Sequence, residues 1–220
     1  MPTPPRIAVV DYGAGNLRSV ARALEVAGAV PLLTTGPQAL WEADGVVFPG
    51  QGACGSAMAF LHQNNLVAPL REVVHQGKPF LGVCLGLQLL FTRSEEDSVA
   101  CLDIFPGGVR RLPRGLVVPH MGWNQVHWKR PHPVWEGIPS GSYFYFVHSY
   151  YPEPVDPSLV AGETEYGITF CSVVAWGNLV ATQFHPEKSG VVGLRLYRNF
   201  VRWVGERLRV PEAYGSYSRH

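Results

Sequence analysis

The chain is short of charge and almost without lysine. Only 16% of its 220 residues are Asp, Glu, Lys or Arg, against roughly 25% in an average globular protein. Eighteen basic residues nearly balance seventeen acidic ones, leaving a net charge of +1, so no strong field exists to gather nucleic acid or anionic lipid. Lysine occurs only at Lys78, Lys129 and Lys188. Cysteine is sparse as well. Cys54, Cys84, Cys101 and Cys171 stand 30, 17 and 70 residues apart, which fits neither a CxxC zinc pattern nor a small disulfide scaffold. No apolar run reaches the ~20 residues of a membrane-spanning helix; the longest, Phe80 to Phe91, carries Gln88. The opening MPTPPRIAVVDYG lacks the basic start and apolar stretch of a secretory signal. A reduced, cytoplasmic enzyme is therefore expected.

What the chain does have is apolar mass, 46% of its residues, enough for a large buried core. Ile7–Val10, Val30–Leu33, Gly45–Phe48 and Phe80–Val83 read as short strands covered on both faces. Between them lies helical spacing: Leu17, Val20, Ala21 and Leu24, stopped by Gly28, then a helical stretch through the fifties to early seventies, ended by Gly77 and Pro79. A further helix is expected over Leu85–Phe91. Residues 93–142, rich in Pro and Gly, offer only short strand-like pieces. From Tyr143 the texture turns to β: Tyr143–Val147, Ile168–Ala175 and Leu179–Gln183, the last two joined as a hairpin across Trp176-Gly177-Asn178. A closing helix carries the stripe Val191, Leu194, Tyr197, Val201, Val204, Leu208. The reading is one α/β domain over residues 6–209, with short tails at 1–5 and 210–220. Its open sheet is mostly parallel, with helices on both faces and a late antiparallel addition.

Chemistry points to Gly82-Val83-Cys84-Leu85-Gly86, a G-x-C-x-G between an apolar strand and a helix. This is the thiol form of the nucleophile elbow. The sharp turn needs flanking glycines because a Cβ would clash, and it lifts the cysteine to the start of the next helix. There the unpaired N–H groups favour negative charge and can hold a developing oxyanion. A thiolate needs a base, and the base an orienting partner. His185 follows a strand and precedes Pro186-Glu187, so Glu187 can reach back to the imidazole; alone, H-P-E is a weak match that reads more readily as a surface turn than as part of a triad. Cys54, Cys101 and Cys171 lack the elbow context and read as structural. Pro49-Gly50-Gln51-Gly52 offers either a second source of oxyanion N–H groups or a flexible turn. Gly13-Ala14-Gly15 lacks a third glycine, position 18 being Arg, so no dinucleotide site is expected.

The elbow at 82–86 and Gln183-Phe184-His185-Pro186-Glu187 resemble class I (triad) glutamine amidotransferase domains. Three further segments, DYGAGNL at 11–17, PHMGWN at 119–124 and YFVHSYY at 145–151, resemble the glutaminase subunits of imidazole glycerol phosphate synthases in histidine biosynthesis. The likeness spans about residues 6 to 204, and PHMGWN is its most discriminating part. It implies a flavodoxin-like α/β fold with neither metal nor cofactor, and a Cys84–His185–Glu187 triad that splits glutamine through a glutamyl thioester. It also implies oxyanion donors from Leu85 and the Gly50–Gly52 loop, Gln88 beside the bound glutamine, and the Ser149–Tyr150 backbone at its amino-acid end. The implied partner is a (β/α)8-barrel cyclase, in a heterodimer, which uses the ammonia to make imidazole glycerol phosphate and aminoimidazole carboxamide ribotide. Asn16, His120, Trp123 and Asn124 are placed at that interface, with Asn16 as a helix cap and Trp123 as core the structural alternatives. Arg195, Arg198 and Arg202 read as a solvated helix face. Two positions depart from the pattern: Gln51, where a small apolar residue is usual, and Cys54, where Phe is common. Another amidotransferase, such as the glutaminase of pyridoxal phosphate synthase, a non-catalytic interaction protein and a cysteine esterase or peptidase are the competing readings.

Overall fold

A computed structural model describes residues 3–13 and 16–209. Part of the DYGAGNL segment and the 210–220 tail lie outside the described residues. The elements run in chain order: β1 (Arg6–Val10), α1 (Leu17–Val26), β2 (Val30–Thr34), α2 (Gln38–Glu42), β3 (Gly45–Phe48), α3 (Cys54–Gln63), α4 (Val67–His75), β4 (Phe80–Val83) and α5 (Leu85–Gln88). They continue as β5 (Phe91–Ser94), β6 (Phe105–Arg111), β7 (His120–Trp128), β8 (Ser142–His148), β9 (Tyr150–Pro154), β10 (Val160–Glu165), β11 (Thr169–Trp176), β12 (Leu179–Thr182) and α6 (Gly190–Arg209).

Nine strands form one sheet in the order β2-β1-β3-β4-β12-β11-β10-β7-β8. The first five are parallel to their neighbours, and every pairing from β12 outward is antiparallel. Both faces of the parallel half are covered, as the unbroken apolar strands require. In β1 the side chains alternate between two cores. Ile7 and Val9 meet Val20 and Leu24 of α1 and Leu196, Phe200 and Val204 of α6. Ala8 and Val10 share the opposite core with Leu61 of α3 and Leu70 and Val73 of α4.

Helix ends follow the sequence signals. At Gly28 (φ +94°) and Gly77 (φ +81°) the chain enters the left-handed region, and paired bonds close each end: Gly28 N–H to Glu25 O with Ala29 N–H to Leu24 O, and Gly77 N–H to Val74 O with Lys78 N–H to Val73 O. The helical stretch of the fifties to seventies is two helices, parted where Asn65 adopts φ +54°. The helix expected over Leu85–Phe91 stops at Gln88. The chain turns into β5, because the Leu90 and Phe91 carbonyls accept from the N–H groups of residues 103–105 instead of continuing a helix. Residues 93–142 supply β6 and β7, and β5-β6-β9 make a second, three-stranded sheet. The hairpin at Gly177-Asn178 is present, with Trp176 opposite Leu179. In α6 the stripe is broader than expected: Tyr197, Val201 and Val204 are buried together with Phe200 and Trp203, whereas Val191 and Leu208 are exposed. The arginine row is exposed, as read, and two of its members make surface contacts. Arg195 donates to Gly137 O at 2.7 Å and Arg202 pairs with Glu136, tying α6 to the 133–137 turn. Among the described residues no helix is long and apolar enough to cross a membrane.

Lys78 shows how one scarce lysine is used. Its Nζ donates to the carbonyls of Leu40, Trp41 and Ala43, closing the C-terminal end of α2, where free carbonyls carry negative charge. Replacing Lys78 with Met leaves these acceptors unpaired. The expected cost is about 1–3 kcal/mol, read as a fall of about 2–10 °C in Tm by thermal denaturation; an unchanged Tm contradicts this role.

Candidate active site

Parallel strands β4 and β12 are neighbours, with Val83 opposite Thr182. Cys84 leaves the end of one and His185 follows the end of the other, so both arrive at the carboxyl edge of the sheet, where open α/β sheets place their sites. Cys84 stands at φ +53°, ψ −105°, a conformation that a non-glycine residue holds only where its surroundings impose it. The surroundings are tight. A Cβ on Gly86 would lie 1.9 Å from the Phe48 carbonyl oxygen, and one on Gly82 would lie 2.9 Å from both Ala181 Cβ and Gly86 O. The helix behind the elbow is a single turn, so the first N–H groups of that turn, rather than a long helix dipole, face any charge formed at Cys84.

His185 is 1% exposed, and its Nδ1 lies 2.9 Å from Glu187 Oε1. Its Nε2 is buried with no hydrogen-bond partner among the described residues. Burial alone would lower the imidazole pKa. The Cys84 charge and its approach to the ring, then Glu187, outweigh burial and push His185 up to about 10. Cys84, His185 and Glu187 thus form one electrostatic unit. Glu187 Oε2 is also buried without a protein donor among the described residues.

The elbow opens into a cavity of about 310 Å³, at the small end of ligand pockets. Gly52, Leu85, Gln88, Ser149 and Tyr150 all line it together with Cys84. Gln88 Nε2 donates to Tyr150 O at 2.9 Å and to Gln183 Oε1 at 3.2 Å, and Gln183 Nε2 approaches Cys84 Sγ at 3.6 Å. Gln183 and Glu96 are among the polar residues that sequence reasoning left without a role, as are Lys188 and His148, which line the cavity. Glu96 lines the cavity and accepts from Cys54 N–H at 2.8 Å. Its neighbour Glu95 pairs with Arg110. Nothing in two adjacent acids tells them apart before the chain is folded.

The glycine loop differs from expectation. Gln51 N–H is committed to the Tyr12 hydroxyl at 2.8 Å, which lies within 3.3 Å of Gln51 O. Gly50 does not line the cavity; it packs beneath, where a Cβ would meet Tyr12 Oη at 2.3 Å and Leu85 Cβ at 2.7 Å. The cause is Tyr12, a nearly buried phenol that must satisfy its oxygen locally. The interface set also divides. Trp123 is 56% exposed and Met121 62%, so Trp123 is not core. His120 is 3% exposed, stacked between Tyr166 and Phe146 at centroid distances of 4.0 and 5.0 Å, and so is withdrawn from any surface contact. Asn124 is half-buried, its amide bonded inward. Asn16 stands at the start of α1, and its side chain accepts from the Ser19 hydroxyl at 2.7 Å, not from a backbone N–H.

Comparison with known proteins decides the family. Residues 8–203 match the family model described as glutamine amidotransferase class-I. The chain belongs to the class I glutamine amidotransferases. This amidotransferase is 53% identical over 195 residues to "Imidazole glycerol phosphate synthase subunit HisH" of Moorella thermoacetica, covering 88% of this chain and 93% of the other. It is 51% identical over 205 residues to the protein of that name from Thermosynechococcus vestitus (91% and 98% covered), and 49% identical over 197 residues to that of Dehalococcoides mccartyi (89% and 96% covered). Such identities place it in the HisH branch. Among solved structures, PurLQS from Thermotoga maritima superposes with a TM-score of 0.73 at 18% identity, over 93% of this chain and 99% of that one. A crystal structure described as a glutamine amidotransferase gives 0.71 at 19%, over 90% and 98%. At such identities these two show the fold.

The site's titrating groups set opposite pH limbs. Burial lowers His120 to about 4, and burial, only partly offset by its bond to Tyr150 O, lowers His148 to about 3. Both lie below the 6.5 of a free imidazole, so their contribution to stability is complete above pH 6.5 and lost as pH falls through those values. His185 is raised, so its contribution is complete below pH 6.5 and lost as pH rises through about 10. Tm measured from pH 4 to 10 is expected to fall on both sides of a middle plateau. In His185→Asn the alkaline limb is expected to flatten while the acid limb remains; an alkaline limb unchanged in that variant contradicts the assignment.

Proposed function

We propose that this amidotransferase is the glutaminase subunit of an imidazole glycerol phosphate synthase, supplying ammonia to the cyclase of that enzyme. One observation carries the reading: the strained Cys84 elbow opens into a cavity of amino-acid size, and the buried His185–Glu187 pair stands close enough to Cys84 to be raised by it. The Cys84 thiolate attacks the carboxamide carbon of glutamine, forming the C–S bond and an oxyanion. Leu85 N–H is the standing donor to that oxyanion. Gln51 N–H becomes the second only when its peptide leaves Tyr12, so the hole is completed by movement of the loop. His185 gives its proton to the departing nitrogen, ammonia leaves, and a glutamyl thioester remains. His185 then takes a proton from water, whose oxygen displaces the sulfur and releases glutamate. Glu187 holds Nδ1 and its proton throughout. Glu96 supplies a carboxylate for the substrate ammonium, and the Ser149–Tyr150 backbone forms the wall at that end. The four free cysteines suit a reducing cytoplasm.

The partner is read as a (β/α)8-barrel cyclase forming a heterodimer with this chain. Its docking surface is the outer face of the β7–β8 hairpin. Met121, Trp123 and Tyr143 project there from alternate positions, beside Tyr145, which meets Trp123 edge-on at 6.1 Å. Val147, next along this face, lines the cavity, so a partner seated on the hairpin also reaches the mouth of the site. Cyclase chemistry needs unprotonated ammonia, and direct hand-over avoids its loss as ammonium in bulk water.

Cys84→Ala is expected to lower glutamine hydrolysis by about 10³-fold or more while the complex still runs on added ammonium salts. Equal loss of both activities would assign Cys84 a structural role instead. Trp123→Ala is expected to weaken binding of the cyclase by about 30-fold, an anchor loss of about 2 kcal/mol, in a titration followed by calorimetry. An unchanged Kd moves the interface elsewhere.

A further inference from the structure

From the cavity wall inward, beginning at His148, which itself lines the cavity, runs a continuous chain of hydrogen bonds that the triad reaction does not use. Tyr150 O receives His148 Nδ1 at 2.8 Å; His148 Nε2 lies 2.9 Å from His120 Nδ1; and His120 Nε2 lies 3.2 Å from Asn124 Nδ2. The direction follows from its ends. A carbonyl only accepts, so His148 carries its proton on Nδ1 and accepts at Nε2. His120 then donates from Nδ1 and accepts at Nε2 from the Asn124 amide. The orientation of Asn124 is set independently, because its Oδ1 accepts from Gln125 N–H at 2.8 Å and its Nδ2 also donates to Glu165 O at 2.9 Å. Every position is satisfied with both imidazoles neutral, the state that burial favours. Protonating either ring would set two donors against each other. Tyr150 O is held from the other side by Gln88, so both of its lone pairs are occupied and the peptide cannot rotate without breaking two bonds.

We infer that His148 and His120 are positioning residues for substrate: two neutral imidazoles, anchored by Asn124, fix the Tyr150 peptide and with it the backbone wall against which the amino-acid end of glutamine is bound. This rests on the reading of Ser149–Tyr150 as that wall. The relay touches neither the carboxamide nor the attacking sulfur, so its loss falls on substrate affinity rather than on the chemical step.

The test uses the complex with the cyclase. KM and kcat for glutamine are measured, with iodoacetamide alkylation of Cys84 as a readout of the nucleophile. His148→Leu and His120→Phe, the second keeping the ring stack with Tyr166 and Phe146, are expected to raise KM about tenfold or more, the scale of one lost buried hydrogen bond. Alkylation is expected to match that of wild type. His148→Asn, whose amide N–H replaces Nδ1–H, is expected to restore most of the affinity. Should His148→Leu fail to fold, Asn124→Ala removes the outer donor while leaving both imidazoles in place and is expected to raise KM in the same direction. KM unmoved in folded variants overturns the inference, and so does a parallel collapse of kcat, KM and alkylation, which marks a merely structural role. A wild-type complex unable to hydrolyse glutamine defeats the underlying reading; normal hydrolysis with an unmoved KM defeats this inference alone.

Discussion

An imidazole almost wholly removed from water stays charged only where acidic neighbours replace its hydration. His185 meets that condition, with Glu187 at 2.9 Å on one side and Cys84 on the other. Everything around the site serves to bring these three groups together and keep solvent out. Adjacent parallel strands deliver the sulfur and the ring to the same sheet edge, and the Pro186 turn returns Glu187 to the ring. The close approach of Gly86 to the Phe48 carbonyl holds the elbow against β3, so the strained backbone of Cys84 rests on the packing of three strands.

That rigidity contrasts with the glycine loop. Gln51 N–H points to Tyr12, a residue just past the end of the first strand, and not to the place where an oxyanion would form. In the proposed mechanism the nucleophile and base are assembled while one oxyanion donor is held by a competing bond. A single phenol–amide bond is worth only about 1 kcal/mol net, within reach of a partner or substrate that favours the released loop. On that reading the oxyanion hole is incomplete until something displaces that bond.

One hairpin serves two purposes because strand side chains alternate. Of the odd-numbered positions of β7, Met121 and Trp123 face outward and are apolar, while His120 faces in and joins the packed aromatic cluster with Phe146, Phe170 and Tyr166. Asn124 lies between, part-buried and bonded to His120. A sequence segment that reads as one motif is therefore divided by a two-residue period into a surface and a support.

Local sequence carried much of the architecture. Apolar strands, the glycines that end α1 and α4, the Gly177 turn and the G-x-C-x-G elbow are each set by neighbours within a few residues, so they are legible without a fold. Long-range partners are not. The early end of α5 depended on carbonyls claimed by residues 103–105, and the burial of His120 on Tyr166 and Phe146. Glu96 differed from Glu95 only in which way the turn after β5 aimed it, and Gln51 lost its N–H to a tyrosine 39 residues away. The sequence by itself determined which groups could do chemistry and which turns would hold them, because those follow from side-chain type and short-range sterics. Only the tertiary structure decided which of them meet, which are dry and which point away, because hydrogen-bond partners and dielectric are properties of what packs nearby in space.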